Sequence, residues 1–149
     1  MRPSWHEYFM KIAEDTKLRS NCIRRQVGAI IVKDKRIIAT GYNGTPAGIT
    51  PCFEGGCERC IRREKNELAE GEDKNSCICV HAEQNAIIQC AYHGVSTKDA
   101  NMYITGMPCR QCAKLIINCG IKTIYAKQEE HDPLGELLLK QAGIELILL

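Results

Sequence analysis

Aromatic side chains are scarce in this chain: one Trp, two Phe and five Tyr among 149 residues. Proteins that hold single-stranded nucleic acid stack its bases on aromatics in a basic groove, and the charge for such a groove is missing as well. Twenty Lys and Arg stand against eighteen Asp and Glu, a formal net charge of +2. No cluster of five or more like charges interrupts the mixture. A nucleic acid is therefore not the expected partner, whereas a single mononucleotide needs only one or two well-placed cations. No apolar run approaches the ~20 residues that span a bilayer, and Met1 to Glu7 lacks the basic and then apolar run of a secretory signal. The expectation is a soluble, cytoplasmic chain with no membrane contact. Repeats and low-complexity segments are also absent, and the length suits one domain over 1–149.

Cysteine, by contrast, is abundant, with ten residues. Inside the cell thiols stay reduced, so clustered Cys reads as metal ligand before disulfide. The most informative cluster joins two stretches: His81-Ala82-Glu83-Gln84-Asn85-Ala86, and Pro108-Cys109-Arg110-Gln111-Cys112 twenty-eight residues later. His81, Cys109 and Cys112 are three good zinc ligands, the number that leaves a catalytic zinc open to water. Glu83 lies two residues after His81, so on a helix the two side chains diverge by roughly 200° and do not share the ion. In the first turn it can still lean over the open position, take a proton from water whose pKa zinc lowers to ~7, and pass it on. A lone C-x-x-C also serves as a structural knuckle or a redox pair, and a lone His is more often a core residue. With both halves opening predicted helices, catalysis is the stronger reading, because a structural site has no use for a proton shuttle.

The periodicity along the chain places these motifs. Apolar residues at Trp5, Tyr8, Phe9, Ile12 and Ala13 predict a helix over Ser4 to Leu18, with Ser4 as N-cap and Glu7 completing a capping box. Val27 to Val32 and Arg36 to Tyr42 read as strands joined by a tight turn. Met102 to Thr105, Lys122 to Ala126 and Glu145 to Leu149 read as further strands. Helices are expected over Cys109 to Cys119 and Leu134 to Gln141, the latter closed by Gly143. Lys127 to Gly143 is long enough for a crossover between parallel neighbours. The expected fold is α/β, a five-stranded mixed sheet with helices on both faces. From Gly44 to Cys79 the periodicity fails, and a loop this long inside a compact domain is either functional or disordered. Cys52, Cys57, Cys60, Cys77 and Cys79 all fall in it, so it reads as a loop ordered by metal.

The paired H-x-E and P-C-x-x-C pattern resembles the zinc-dependent nucleobase deaminases, in which Glu is the proton shuttle. Taken with Gly41-Tyr42-Asn43-Gly44-Thr45-Pro46, it looks like the deoxycytidylate (dCMP) deaminase family. The likeness runs from Cys22-Ile23-Arg24-Arg25-Gln26-Val27-Gly28 to Gly143-Ile144-Glu145. Free cytidine deaminases usually begin the first motif with Cys, and tRNA adenosine deaminases usually continue the second differently. The resemblance implies a cytidine deaminase-like three-layer α-β-α fold. It also implies hydrolysis of dCMP to dUMP and ammonia by a zinc-bound hydroxide with Glu83 as proton shuttle, supplying dUMP for thymidylate synthesis.

Homohexamers activated by dCTP and inhibited by dTTP are implied as well, the triphosphate binding with Mg2+ near Gly41, Tyr42, Gly44 and Thr45. Asn43 and Ala82 correspond to substrate contacts. Arg24 and Arg25 are candidates for phosphate, since a guanidinium fork matches phosphate oxygens. Some members carry a second, structural zinc, and Cys22, Cys52 and Cys79 match positions used there. This chain adds Cys57, Cys60 and Cys77, so that four of six thiols close one site while all six hold two ions only with bridging thiolates. It departs again at Lys127 to Asp132: many members place an aromatic beside the pyrimidine, and here no Tyr or Phe follows Tyr125. The competing readings are a deaminase of a base in RNA or DNA and a non-catalytic zinc module that binds a partner.

Overall fold

The first helix begins where its residue types dictate. Ser4 N–H donates to Glu7 Oε2 at 2.7 Å and Glu7 N–H donates to Ser4 Oγ at 3.2 Å. This reciprocal cap opens α1 (Trp5–Lys17), which buries Phe9, Met10 and Ala13. The computed structural model describes residues 1–127 and 130–149. Five strands follow: β1 (Gly28–Lys33), β2 (Arg36–Tyr42), β3 (Asn101–Ile104), β4 (Thr123–Ala126) and β5 (Glu145–Leu148). They form one sheet in the order β2-β1-β3-β4-β5. β1 runs antiparallel to both its neighbours, while β3, β4 and β5 are mutually parallel. Helix α4 (Arg110–Asn118) bridges β3 to β4, and α5 (Pro133–Gln141) bridges β4 to β5. The expected mixed sheet is thus present.

Alternation along the strands divides the core in two. Ile30 and Val32 of β1 and Tyr103 of β3 pack with Phe9, Met10 and Ala13 of α1. On the other face Ala29, Ile31, Met102, Ile104, Ile124 and Ala126 meet Ala82, Ala86 and Cys90 of α3 (Ala82–His93), Cys112, Ala113 and Ile116 of α4, and Leu139 of α5. Among the described residues no helix is long and apolar enough to cross a membrane.

The segment from Gly44 to Cys79 differs from expectation. It contains a helix, α2 (Glu58–Glu64), and two short 3-10 turns at Cys52–Glu54 and Lys74–Ser76. A seven-residue helix is too short to hold in isolation, and periodicity cannot register it. Its order comes from a group of buried thiols, Cys52, Cys57 and Cys60, against which Cys22, Cys77 and Cys79 pack.

Helix α5 is capped and docked by one residue. Asp132 accepts from Gly135 N–H at 3.4 Å, from Arg110 N–H at 2.8 Å and from the Arg110 guanidinium at 2.9–3.2 Å. The Arg110 fork holds its carboxyl at about 2, below the usual range. Losing an Asp cap costs about 1–2 kcal/mol, so Asp132→Ala is expected to lower stability by about that much at pH 7 in denaturant titration. A carboxyl whose folded pKa is depressed stabilises above its unfolded value of ~3.9 and loses that effect as pH falls. The gap between wild type and variant should therefore narrow from about pH 4 downward.

Candidate active site

His81 and Cys109 are both helix N-caps. Each has extended backbone, with φ −73°, ψ 154° at His81 and φ −78°, ψ 171° at Cys109. Each side chain therefore projects past the start of its helix, where backbone N–H groups have no carbonyl partner. A hydrogen bond from His81 N–H to the side-chain Oε1 of Gln84 at 2.9 Å fixes the entry to α3. Cys112, fully buried, comes from the first turn of α4. His81 Nδ1 lies 3.2 Å from Cys112 Sγ and 3.5 Å from Cys109 Sγ. Zn–N near 2.0 Å and Zn–S near 2.3 Å on a tetrahedron put nitrogen and sulfur about 3.5 Å apart. The triad therefore fits a zinc ion, with Nδ1 as the ligating nitrogen, and all three ligand atoms lie within 4.8 Å of one another. The Glu83 carboxylate is not among them.

The charges fit the same use. The Cys109 thiol is lowered to about 4, because Cys112 bonds to its sulfur and His81 adds to that. The same contact raises Cys112. The pair sheds one proton readily and holds the second until a cation replaces it. Glu83 is 4% exposed, and burial pushes its carboxyl pKa up, partly opposed by its own backbone N–H and by His81. A buried acid so shifted is the kind of group that serves as proton donor and acceptor near neutrality.

A cleft of about 140 Å³ opens on this triad, lined by Arg25, Asn43, His81, Ala82, Glu83 and Cys109. Val27 and Met107 supply its apolar wall. Four of the sequence candidates for substrate and catalysis, Asn43, Ala82, Arg25 and Glu83, thus meet in one place. Arg24 does not join them; it pairs with Glu64 of α2 at 2.7 Å. Asn43 is mostly committed to the fold: Oδ1 accepts from Ser20 Oγ at 2.6 Å and Val27 N–H at 2.9 Å, and Nδ2 donates to Arg25 O at 2.7 Å. An amide has two donors and two acceptor sites, so one N–H remains for a ligand.

Residues 3–128 match the cytidine and deoxycytidylate deaminase zinc-binding region. The chain belongs to the cytidine and deoxycytidylate deaminase family.

Within that family it is 42% identical over 145 residues to the deoxycytidylate deaminase of Saccharomyces cerevisiae, covering 97% of this chain and 44% of the yeast protein. The chain therefore spans less than half the length of that relative. It is 41% identical over 132 residues to the deoxycytidylate deaminase of Mycobacterium phage D29, covering 85% of this chain and 98% of the phage protein. The crystal structure of dCMP deaminase from cyanophage S-TIM5 in complex with dCMP and dUMP matches with a TM-score of 0.80 and 36% identity, over 100% of this chain and 99% of that one.

The segment expected to bind a triphosphate lies elsewhere. Gly41, Tyr42, Gly44 and Thr45 line a larger groove of about 530 Å³, whose other wall includes Asn85 and Gln89 of α3. Gly41 and Gly44 serve the fold as well. A Cβ on Gly41 would stand 2.2 Å from Ala82 O and 2.5 Å from Ala86 N, and one on Gly44 would stand 2.8 Å from Asn21 Oδ1. Asn21 bridges this loop to the thiol cluster by accepting from Thr45 N–H at 3.2 Å and Cys52 N–H at 3.3 Å.

Asn21, Ser20 and Met107 were invisible to sequence reasoning, since single residues in loops carry no periodic or motif signal. Helix α2 did have one: Cys57 caps it and Cys60 sits in its first turn, repeating the arrangement of Cys109 and Cys112. Of the segment that lacks an aromatic, Gln128 and Glu129 lie outside the described residues, and His131 turns to Glu136 at 2.9 Å.

The Gly41 contact is against helix backbone, which cannot rotate away. Overpacking costs typically ~1–3 kcal/mol, and Gly41→Ala should lie at or beyond the upper end, with α3 and its His81 displaced. A melting temperature and a zinc content both unchanged in Gly41→Ala would contradict this packing.

Proposed function

We propose that this protein hydrolyses dCMP to dUMP and ammonia in the cytoplasm, supplying dUMP for thymidylate synthesis. The observation that carries this reading is the buried Glu83 carboxyl in a small cleft beside three zinc ligands and one uncommitted amide N–H. Its likeness to a deaminase structure holding dCMP and dUMP supports the choice of substrate. His81, Cys109 and Cys112 would hold zinc, which when bound supplies Lewis acidity and lowers the pKa of water to ~7.

The chain's own groups do the rest. Glu83 takes a proton from the attacking water and delivers it to the pyrimidine ring nitrogen. After water has added to the amine-bearing carbon, Glu83 carries a second proton to the amine, and the C–N bond breaks to release ammonia. Its raised pKa lets it hold a proton between these transfers. Met107 and Val27 pack the base in place of an aromatic, the thioether being soft enough to follow a flat ring. Asn43 and Arg25 meet the sugar and phosphate end.

Ammonia release from dCMP tests this. A single acid–base group contributes 10²–10⁴-fold, and Glu83→Gln should lose at least that much while keeping its zinc. Loss of zinc in step with activity would make Glu83 a ligand and overturn its role.

Regulation belongs to the same reading. The 530 Å³ groove has the size and backbone lining for dCTP or dTTP with Mg2+, and Asn85 of its wall donates to Tyr42 O at 2.8 Å, joining it to the helix that begins at His81. Ile88 and Tyr92 on α3 are 53% and 85% exposed, an apolar face that a neighbouring subunit of a homohexamer would cover. A ligand shifts an equilibrium only by its differential affinity for two states. The rate should rise sigmoidally with dCMP, become hyperbolic with dCTP and Mg2+, and steepen with dTTP. Hyperbolic kinetics in a monomer, indifferent to both triphosphates, would exclude this control.

A further inference from the structure

The thiol group beneath α2 is separate from the deaminase site, and spacing alone left open one ion on four cysteines or two ions on six. We propose that Cys22, Cys52, Cys57, Cys60, Cys77 and Cys79 form a binuclear zinc–thiolate centre in which Cys60 and Cys79 bridge the two ions. Two groups of four sulfurs each lie within 4.8 Å of one another: Cys22, Cys52, Cys60 and Cys79, and Cys57, Cys60, Cys77 and Cys79. The groups share Cys60 and Cys79. Two tetrahedral ions need eight ligand positions, and six thiolates fill eight only when two of them bridge. The terminal pair of the second group fits its share, since Cys57 and Cys77 sulfurs are 3.8 Å apart. Zn–S bonds of about 2.3 Å on a tetrahedron give the same value, about 3.8 Å.

Two further observations favour ions over a core of plain thiols. All ten cysteines are free, and among the described residues the cluster has only Ile23 as an apolar companion, too little to order a loop of this length by hydrophobic burial. Arg59, between Cys57 and Cys60, keeps Nη2 buried with no hydrogen-bond partner among the described residues. Six thiols that bind two Zn2+ release six protons and leave a centre of net charge −2, which the half-buried Arg59 would help to offset. The centre ties the loop after α1, the turn at Cys52, helix α2 and the chain leading to His81 into one body.

Metal analysis of the full chain, purified without oxidation, is the test. The wild type should carry three zinc ions, one at His81, Cys109 and Cys112 and two in the cluster; His81→Ala should retain the cluster pair. Cys60→Ser should lose both cluster ions and Cys22→Ser only one. Because those variants can fail to fold, the wild type exchanged with 113Cd gives an independent readout. Its NMR spectrum should show two all-sulfur resonances split by coupling through the bridging thiolates. A total of two ions per chain, or two all-sulfur resonances without mutual coupling, would overturn the centre. Either result leaves the His81 site unaffected.

Discussion

The constraint on which the rest depends is the meeting of two helix N-termini at one point. α3 and α4 both begin with a ligand in the capping position, and their unpaired N–H groups and positive dipole ends favour the thiolates placed there. Burial works against those charges, because Cys112 and Glu83 are almost fully out of solvent and an uncompensated buried charge is expensive. A divalent cation resolves the conflict for the sulfurs. The same burial raises the pKa of the Glu83 carboxyl.

The sheet and its connections supply the positions. Thr105, just past β3, binds both backbone groups of Gly28 at the start of β1, Thr105 N–H to Gly28 O and Gly28 N–H to Thr105 Oγ1, each at 3.0 Å. This fixes the end of the strand from which the chain turns into Pro108 and Cys109. Opposite it, the bridge between Gly44 and Val80 sets the approach to His81, while Asp132 clamps Arg110 beside Cys109. The thiol cluster continues this frame, since Cys79 lies two residues before His81 and Asn21 joins the cluster to the larger groove. Cluster, groove and cleft thus share connected backbone.

What was legible in the sequence was what local chemistry dictates. The Ser4–Glu7 capping box, the β-branched run of β1 and the paired H-x-E and C-x-x-C motifs each declare themselves within a few residues. Helix α2 left only the Cys57-x-x-Cys60 spacing as a trace, because tertiary thiol packing and not apolar periodicity orders it. Gly41 stood out as a glycine, but its reason, the backbone of α3 lying 2.2 Å from any added Cβ, exists only once the chain is folded. Arg24 and Arg25 are equivalent in sequence, yet the fold sends one to Glu64 and the other to the cleft.

Anomalous diffraction at the zinc edge from crystals of Glu83→Gln soaked with dCMP locates the ion, the nucleotide and residue 83 together. The account predicts an ion bonded to His81 Nδ1, Cys109 Sγ and Cys112 Sγ, with the amine-bearing carbon of dCMP facing it and the residue 83 side chain within hydrogen-bonding reach of the ring nitrogen. An ion that takes residue 83 as its fourth ligand, or a nucleotide that binds outside the cleft of Asn43, Ala82 and Met107, would contradict it.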